Sequence, residues 1–253
     1  MADRGFDGSG GVVNKDITVV LPTSPIPSHP DTAIVEETVA SIRHWLPDAE
    51  ILLTFDGLGP EHFHRHDSYE EYIRRVLWLA DHGDWGPVAP EVFTTHQHQS
   101  GMLRWAMPEI HTPLLLYVEH DTPLVTDEKI DWGAAVEFLY SGRGDLLRFH
   151  HESTIPDEHS PMMHGGYWNK CGVIRTSQWS QRPHLATAAF YERILESHFT
   201  WNDKVFIEDQ MHGICHSAYL RHGMEGWQQY RLHIYDPGGG NIKRSYHLDG
   251  RRS

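Results

Sequence analysis

The chain of 253 residues is long enough for one large core or two modest ones, and its 39% apolar content with nine Trp, ten Tyr and nine Phe excludes a disordered protein. A formal net charge of −14 argues against non-specific binding to nucleic acid or to an anionic membrane. No apolar run approaches the length of a membrane span.

The opening stretch MADRGFDGSGG carries no hydrophobic signal core, and Cys171 and Cys215 are the only cysteines, far apart and without a CxxC. A reduced, cytoplasmic setting is the expectation. Residues 1–15 read as a flexible leader, 16–235 as one domain without internal repeats, and 236–253 as a basic tail. The 21 histidines make the charge sensitive to mild acid.

In chain order, Ile17–Leu21 is a β-branched apolar run that ends at Pro22-Thr23-Ser24-Pro25, a turn unable to continue a ladder. Asp31 is a plausible N-cap for a helix with Val35, Val39, Ile42 and Leu46 on one face. Ile51–Phe55 then gives a second strand ending at Asp56-Gly57, so the fold begins with a βαβ unit. A His-rich polar loop follows. Ser68 and Glu71 have the spacing of a capping box for a helix over residues 69–82 that stops at Gly83.

A short strand is expected at Glu91–Thr94, and a short helix around Met102–Met107. Leu114–Val118 is the most apolar strand, and it breaks off at Glu119-His120-Asp121 before Thr122-Pro123. Asp131 caps a helix running to Tyr140, and Leu146–Phe149 is another strand. His150–Pro161 reads as a loop and Cys171–Ile174 as a strand. Pro183 suits the first turn of a helix reaching Ser197. Ile207–His222 is a further helix ended by Gly223, and Arg231–Tyr235 reads as a late edge strand.

The polar groups cluster at strand ends: Thr23-Ser24, then Asp56, then the pair Glu119 and Asp121. In an open α/β sheet, ligands bind in the crevice beyond the carboxyl ends of parallel strands. Two acids spaced by one residue point to the same side of an extended chain. Their oxygens suit a hard divalent cation, Mg²⁺ or Mn²⁺, which characteristically shares substrate phosphates. The alternative is an ordinary solvated strand end. No Walker GxxxxGK[ST] and no GxGxxG is present. His96-x-His98 would suit a metallohydrolase, but nothing downstream completes that pattern.

This ordered set resembles the GT-A fold of nucleotide-sugar glycosyltransferases, most closely glycosyltransferase family 2, over roughly residues 16 to 222. The resemblance implies a Rossmann-like α/β fold with an open mixed sheet flanked by helices. It implies a nucleoside diphosphate sugar as donor and a divalent metal, Mn²⁺ or Mg²⁺. The acceptor would be a hydroxyl on a small molecule, a glycan or a modified nucleobase.

Pro22, Thr23 and Ser24 stand at the family's nucleotide-binding opening, and Asp56 matches the acid that contacts the nucleobase. Glu119-His120-Asp121 occupies the place of the DxD motif, which makes Asp121 and Glu119 metal ligands and puts His120 with the donor site. Gln99 and Gly101 fall where the family meets the nucleotide or sugar. Ile207-Glu208-Asp209-Gln210 resembles the later ED motif, with Asp209 the general base and Glu208 the second candidate. The same pair also fits first-turn charge complementing a helix dipole.

One base and one displacement imply inversion at the anomeric carbon. His247 is a candidate third metal ligand, with Lys243, Arg244, Arg251 and Arg252 closing over the diphosphate and Gly238–Gly240 as hinge. His150-His151 and Trp179–His184 are candidates to face the acceptor. A Glu at the first DxD position and the lack of a QxxRW motif depart from the processive members. Two other functions share the neighbourhood: a nucleotidyltransferase, although Leu21–Ser28 has neither Gly nor Lys, and a non-catalytic sugar- or nucleotide-binding module.

Overall fold

The computed structural model describes residues 13–165 and 171–248. The first twelve residues of the leader and the tail residues Arg251 and Arg252 lie outside this set. Eight strands form one sheet in the order β3-β2-β1-β4-β7-β5-β8-β6. They are β1 (Ile17–Thr23), β2 (Ile51–Phe55), β3 (Val88–Val92), β4 (Leu114–Tyr117), β5 (Leu146–Arg148), β6 (Val173–Arg175), β7 (His184–Thr187) and β8 (Leu232–Tyr235).

The β3-β2-β1-β4 half is parallel throughout, with Val19 opposite Ile51 and Leu116. Beyond β4 the direction reverses at β7 and again at β5, β8 runs parallel to β5, and β6 reverses once more.

Helices cover both faces, as the alternation along the strands requires. Val19, Leu21, Leu53, Phe55, Leu114 and Leu116 pack with α1 (Ala33–Trp45), α2 (His66–His82) and α4 (Trp132–Tyr140). Val20, Leu52, Leu115 and Tyr117 face α3 (His98–Ala106), α5 (Ala188–His198) and α6 (Ile207–His222). A short α7 (Met224–Trp227) precedes β8. Among the described residues no helix is long and apolar enough to cross a membrane.

Several elements differ from the sequence reading. The first helical turn of α2 begins at His66, so Ser68 lies inside the helix. Its hydroxyl donates to the Arg65 carbonyl, and Glu71 pairs with Arg74 and Arg75, so the capping box does not form. β3 lies at Val88–Val92, three residues earlier than expected, because it registers against Ile51–Phe55. The loop after β5 contains a 3₁₀ turn over Asp157–Met162.

The helix expected from Pro183 is instead β7 followed by α5, whose N-cap is Thr187 accepting from the Phe190 N–H at 3.2 Å. β8 lies between β5 and β6 rather than at the edge. As expected, Asp131 caps α4 by accepting from the Ala134 N–H at 3.0 Å.

Candidate active site

The chain runs β1 to β2 to β3 on one side of β1, then crosses to place β4 on the other. The strand order therefore reverses between β1 and β4, which is where an open α/β sheet leaves a crevice at its carboxyl edge. A cavity of about 350 Å³ opens there. Its walls are Pro22–Pro25 at the end of β1 and just beyond it, Asp56 after β2, His98, Gln99 and Met102 of α3, and Glu119-His120-Asp121 after β4. Glu61, His62, His96 and Phe206 complete the rim.

Asp56 is buried, and its carboxylate is fully engaged. One oxygen accepts from the Gln97 N–H at 2.6 Å, and the other from the His98 N–H at 3.0 Å. His96 Nδ1 lies 2.9 Å from that second oxygen. His98 has a positive φ of 57°, uncommon for a non-glycine residue. Asp56 thus anchors the strained entry to α3 as well as lining the crevice. The His96-x-His98 pair serves this wall, and among the described residues no cluster of three or more His, Cys, Asp or Glu is arranged to hold a metal.

Gln99 links the two acidic segments. Its Nε2 donates to Glu119 Oε1, while its Oε1 accepts from the Ile207 N–H at 3.2 Å, at the start of α6. Burial, together with the charges of Asp121 and Glu208, pushes the Glu119 carboxyl up to about 8, against the hydrogen bond from Gln99.

Asp121 behaves differently. Burial alone would raise it, but the hydrogen bond from His247 and the proximity of His120 and His247 outweigh that and hold it below the usual carboxylate range. His247 Nε2 lies 3.3 Å from Asp121 Oδ2. His120 points inward and is 4% exposed, with its Nε2 lacking a protein partner. Its N–H donates to the Pro22 carbonyl and its carbonyl accepts from Thr38.

Residues 236–248, the described part of the tail, are docked. Leu248 N–H donates to the Asp121 carbonyl at 2.8 Å, Tyr246 N–H to Pro123, and Ser245 N–H to His150. Tyr246 OH reaches Glu37 at 2.7 Å. This strap carries His247 to the crevice. Arg244, however, is 4% exposed and donates to the carbonyls of Lys129, Asn241 and Lys243, so it does not reach toward a diphosphate.

Glu208 and Asp209 share the first turn of α6 but not the same surroundings. Glu208 accepts from the Gln181 N–H at 2.8 Å and so fixes the loop before β7. Asp209 is exposed, close enough to act on the charge of His98. Gly101 does not line the crevice; a Cβ there would sit 2.9 Å from that of Gln97. Pro22, Thr23 and Ser24 all line the crevice, and the buried Thr23 donates its hydroxyl to the Thr54 carbonyl.

His150 is buried against Arg182, which also pairs with Glu152, and His151 Nδ1 lies 2.7 Å from the Ser245 hydroxyl. Trp179 is 1% exposed and packs on Phe190. These groups tie the mixed half of the sheet together and do not line the crevice. Sequence reasoning missed Glu61, His62, Met102 and Phe206 as rim residues. They sit in a polar 3₁₀ turn over Pro60–Arg65, inside α3 and just before α6, with no motif to mark them.

The fit to a divalent ion can be judged from these donors. Asp121 and His247 supply one carboxylate and one imidazole side by side, and Mg²⁺ or Mn²⁺ sites with few protein ligands complete their shell with water and substrate phosphates. Glu119, committed to Gln99, adds no free oxygen pair. The donor set fits an ion shared with a diphosphate.

No protein-family model matches the chain, and no curated protein matches it by sequence. Solved structures do match. A mannosyltransferase from Pyrobaculum calidifontis, in complex with GDP-Man and Mn²⁺, aligns over 94% of this chain and 58% of its own, with a TM-score of 0.57 at 16% identity. The fold is GT-A. TarS 1–349 of S. aureus, in complex with UDP-GlcNAc, aligns over 92% of this chain and 58% of its own, with a TM-score of 0.53 at 11% identity. A UDP-glucose pyrophosphorylase complexed with UDP-glucose aligns over 90% of this chain and 91% of its own, with a TM-score of 0.50 at 10% identity. The chain thus spans 58% of the length of the mannosyltransferase and of TarS 1–349.

Proposed function

We propose that the chain is a metal-dependent, inverting glycosyltransferase of family 2 type, moving a hexosyl or pentosyl group from a nucleoside diphosphate sugar to an acceptor hydroxyl. The observation that carries this reading is the meeting of Asp121 and His247 at the switch-point crevice, with the first turn of α6 beside it. The catalytic unit runs over residues 16–235, with the docked tail as part of the site.

In this reading Pro22–Ser24 and the Asp56-anchored wall seat the nucleotide, and His120 backs it from beneath. Asp121 and His247 would hold the divalent ion; the chemistry such an ion supplies when bound is neutralisation of charge on the departing diphosphate. Gln99 keeps Glu119 and the start of α6 in register, so that donor and acceptor sides stay aligned. Asp209, exposed where Glu208 is committed to Gln181, takes the proton of the acceptor hydroxyl as that oxygen attacks the anomeric carbon.

The test is hydrolysis of UDP-, GDP- and TDP-sugars with Mn²⁺ and no acceptor, in wild type and Asp121→Ala. Turnover by the wild type and its loss in the variant are expected. If no nucleotide sugar is bound or turned over with any divalent ion, the reading is wrong. The 91% coverage of the pyrophosphorylase favours a second reading, a nucleotidyltransferase. Exchange of labelled pyrophosphate into a nucleoside triphosphate in the presence of a sugar phosphate would select it.

A further inference from the structure

A second cavity, of about 590 Å³, opens at the opposite edge of the sheet from the crevice. The strand directions fix that position. β7 runs antiparallel to both β4 and β5, and β8 runs parallel to β5, so β4, β5 and β8 point the same way. The crevice lies at the carboxyl ends of β1, β2 and β4, whereas Gly142 and Arg143 come just before β5 and Arg231 just before β8. Arg175, at the end of the antiparallel β6, lines the same cavity.

The chain carries a formal net charge of −14, yet among the described residues this cavity is lined by three arginines and by no Asp or Glu. The three are not equivalent. Arg231 is committed: it donates to the buried Asp145 from Nε at 2.9 Å and from Nη2 at 2.6 Å, and its Nη1 donates to the Gly142 carbonyl. Arg193 also reaches Asp145, at 3.2 Å, so two cations answer that one carboxylate. The φ of Arg231 is 42°, a left-handed backbone uncommon for a non-glycine residue, and the bonds to Asp145 hold it there. Arg175 is different. Its guanidinium lies 5.8 Å from the centre of the Trp227 ring, and among the described residues no carboxylate or carbonyl takes it. A half-buried arginine fork without an acidic partner suits an oxyanion.

The remaining walls narrow the ligand. Phe138, Val173 and Trp227 are apolar and buried, and Met224 is 37% exposed. His233 Nδ1 lies 2.9 Å from the Arg231 carbonyl. A carbonyl only accepts, so Nδ1 carries the proton, and the neutral ring has an acceptor at Nε2. That atom suits a hydroxyl and repels a bare oxyanion. Several cations with no facing acid favour a dianion, which a phosphate monoester largely is at neutral pH and a single carboxylate is not. The volume falls within the range of small-molecule sites.

We propose that this cavity is a second ligand site, taking a hydroxylated phosphate monoester, a sugar phosphate or a nucleotide, with its phosphate on Arg175 and Arg143. The site does not depend on the transferase reading, because no residue of the crevice belongs to it.

The experiment is calorimetric titration of the full chain in EDTA with glucose 6-phosphate, uridine monophosphate, inorganic phosphate and glucose. EDTA removes the divalent ion on which phosphate binding in the crevice would rely. One equivalent of an ester should bind, and the tighter of the two names the source. Inorganic phosphate should bind at least about tenfold more weakly, because it leaves the apolar walls unused, and glucose should not bind. Arg175→Ala should weaken the ester at least about tenfold, and Arg175→Lys, which keeps the charge but not the fork, by less. Arg143→Ala should weaken it about threefold through lost charge. Arg74→Ala is the control, because that side chain is 70% exposed on α2 and pairs with Glu71. Thermal melts show whether each variant is folded; Arg175→Lys and Arg143→Ala decide the matter if Arg175→Ala is not.

No ester binding in EDTA, binding that both Arg175→Ala and Arg143→Ala leave unchanged, or binding that Asp121→Ala abolishes would overturn the site. Inorganic phosphate binding as tightly as the esters would overturn the ligand class. Donor hydrolysis with Mn²⁺ should be the same in Arg175→Ala as in wild type, and its loss would count against a separate site. If the wild type hydrolyses no donor but binds the ester, the transferase reading falls and the second site stands.

Discussion

Between β3 and β4 the sheet is parallel and its interior is almost wholly Val, Leu, Ile and Phe, with polar groups gathered at the carboxyl ends. From β7 to β6 the direction reverses repeatedly, and the interior holds Arg148, His184 and His233 beside His150. The strands of the first half carry no histidine and no arginine, although His29 and His120 are buried in the loops after β1 and β4. In the second, three histidines are held neutral by burial, His150 to about 2 and His184 and His233 to about 4. Arg148 donates to the Gln178 carbonyl and side chain, and His184 Nδ1 pairs with the Arg182 carbonyl. The mixed half is thus stitched by polar contacts where the parallel half relies on packing.

The largest expected effect follows from those histidines. Their folded values lie below an unfolded value near 6.5, so the unfolded chain binds protons first as pH falls. The stability they allow is present above about 6.5 and is lost on the way down to 4 and below. Each of the three costs about 2 kcal/mol between pH 7 and pH 5, near 6 kcal/mol together at that same per-group cost. Urea unfolding at both pH values measures this. An unchanged free energy would show that burial does not hold these histidines neutral.

Next come the two acids at the site, one on each side of it. Asp121→Ala is expected to weaken donor binding and to lower turnover at least about 100-fold. Asp209→Asn is expected to keep donor binding and to lower transfer by about 10²–10⁴-fold. Calorimetric donor affinity beside initial rates separates them, and weakened donor affinity in Asp209→Asn would count against its role as base.

A core truncation sharpens the contrast. Leu116 of β4 is fully buried, and Leu116→Ala should cost about 3 kcal/mol. That cost should be the same at pH 7 and pH 5, whereas His184→Gln should recover part of the acid loss. The smallest effect belongs to the strap. Tyr246→Phe removes the bond to Glu37 and should cost about 1 kcal/mol or less in urea unfolding.

The same division governs what was legible in the chain. Ile51–Phe55 and Ile207–His222 have the bounds read from sequence, and β4 begins at Leu114 as expected, because long apolar runs and clear breakers set them locally. β7 was missed. His184–Thr187 is too short and too polar to announce a strand, and it forms because Leu114–Tyr117 and Leu146–Arg148 offer ladders on both sides. The switch-point acids were visible as strand ends. The difference between them was not, since only the fold brings Gln99 to Glu119 and the strap's His247 to Asp121.

What the sequence determined alone was the alternation of buried strands and amphipathic helices, and with it the parallel half and the acids at its edge. Those features are written in local hydrophobic period and turn chemistry, which act over a few residues. The tertiary structure decided the order of the mixed half, the docking of residues 236–248 and the different surroundings of Glu208 and Asp209. Each of these depends on contacts between residues far apart in the chain, and no local pattern records which distant backbone group will satisfy a given donor.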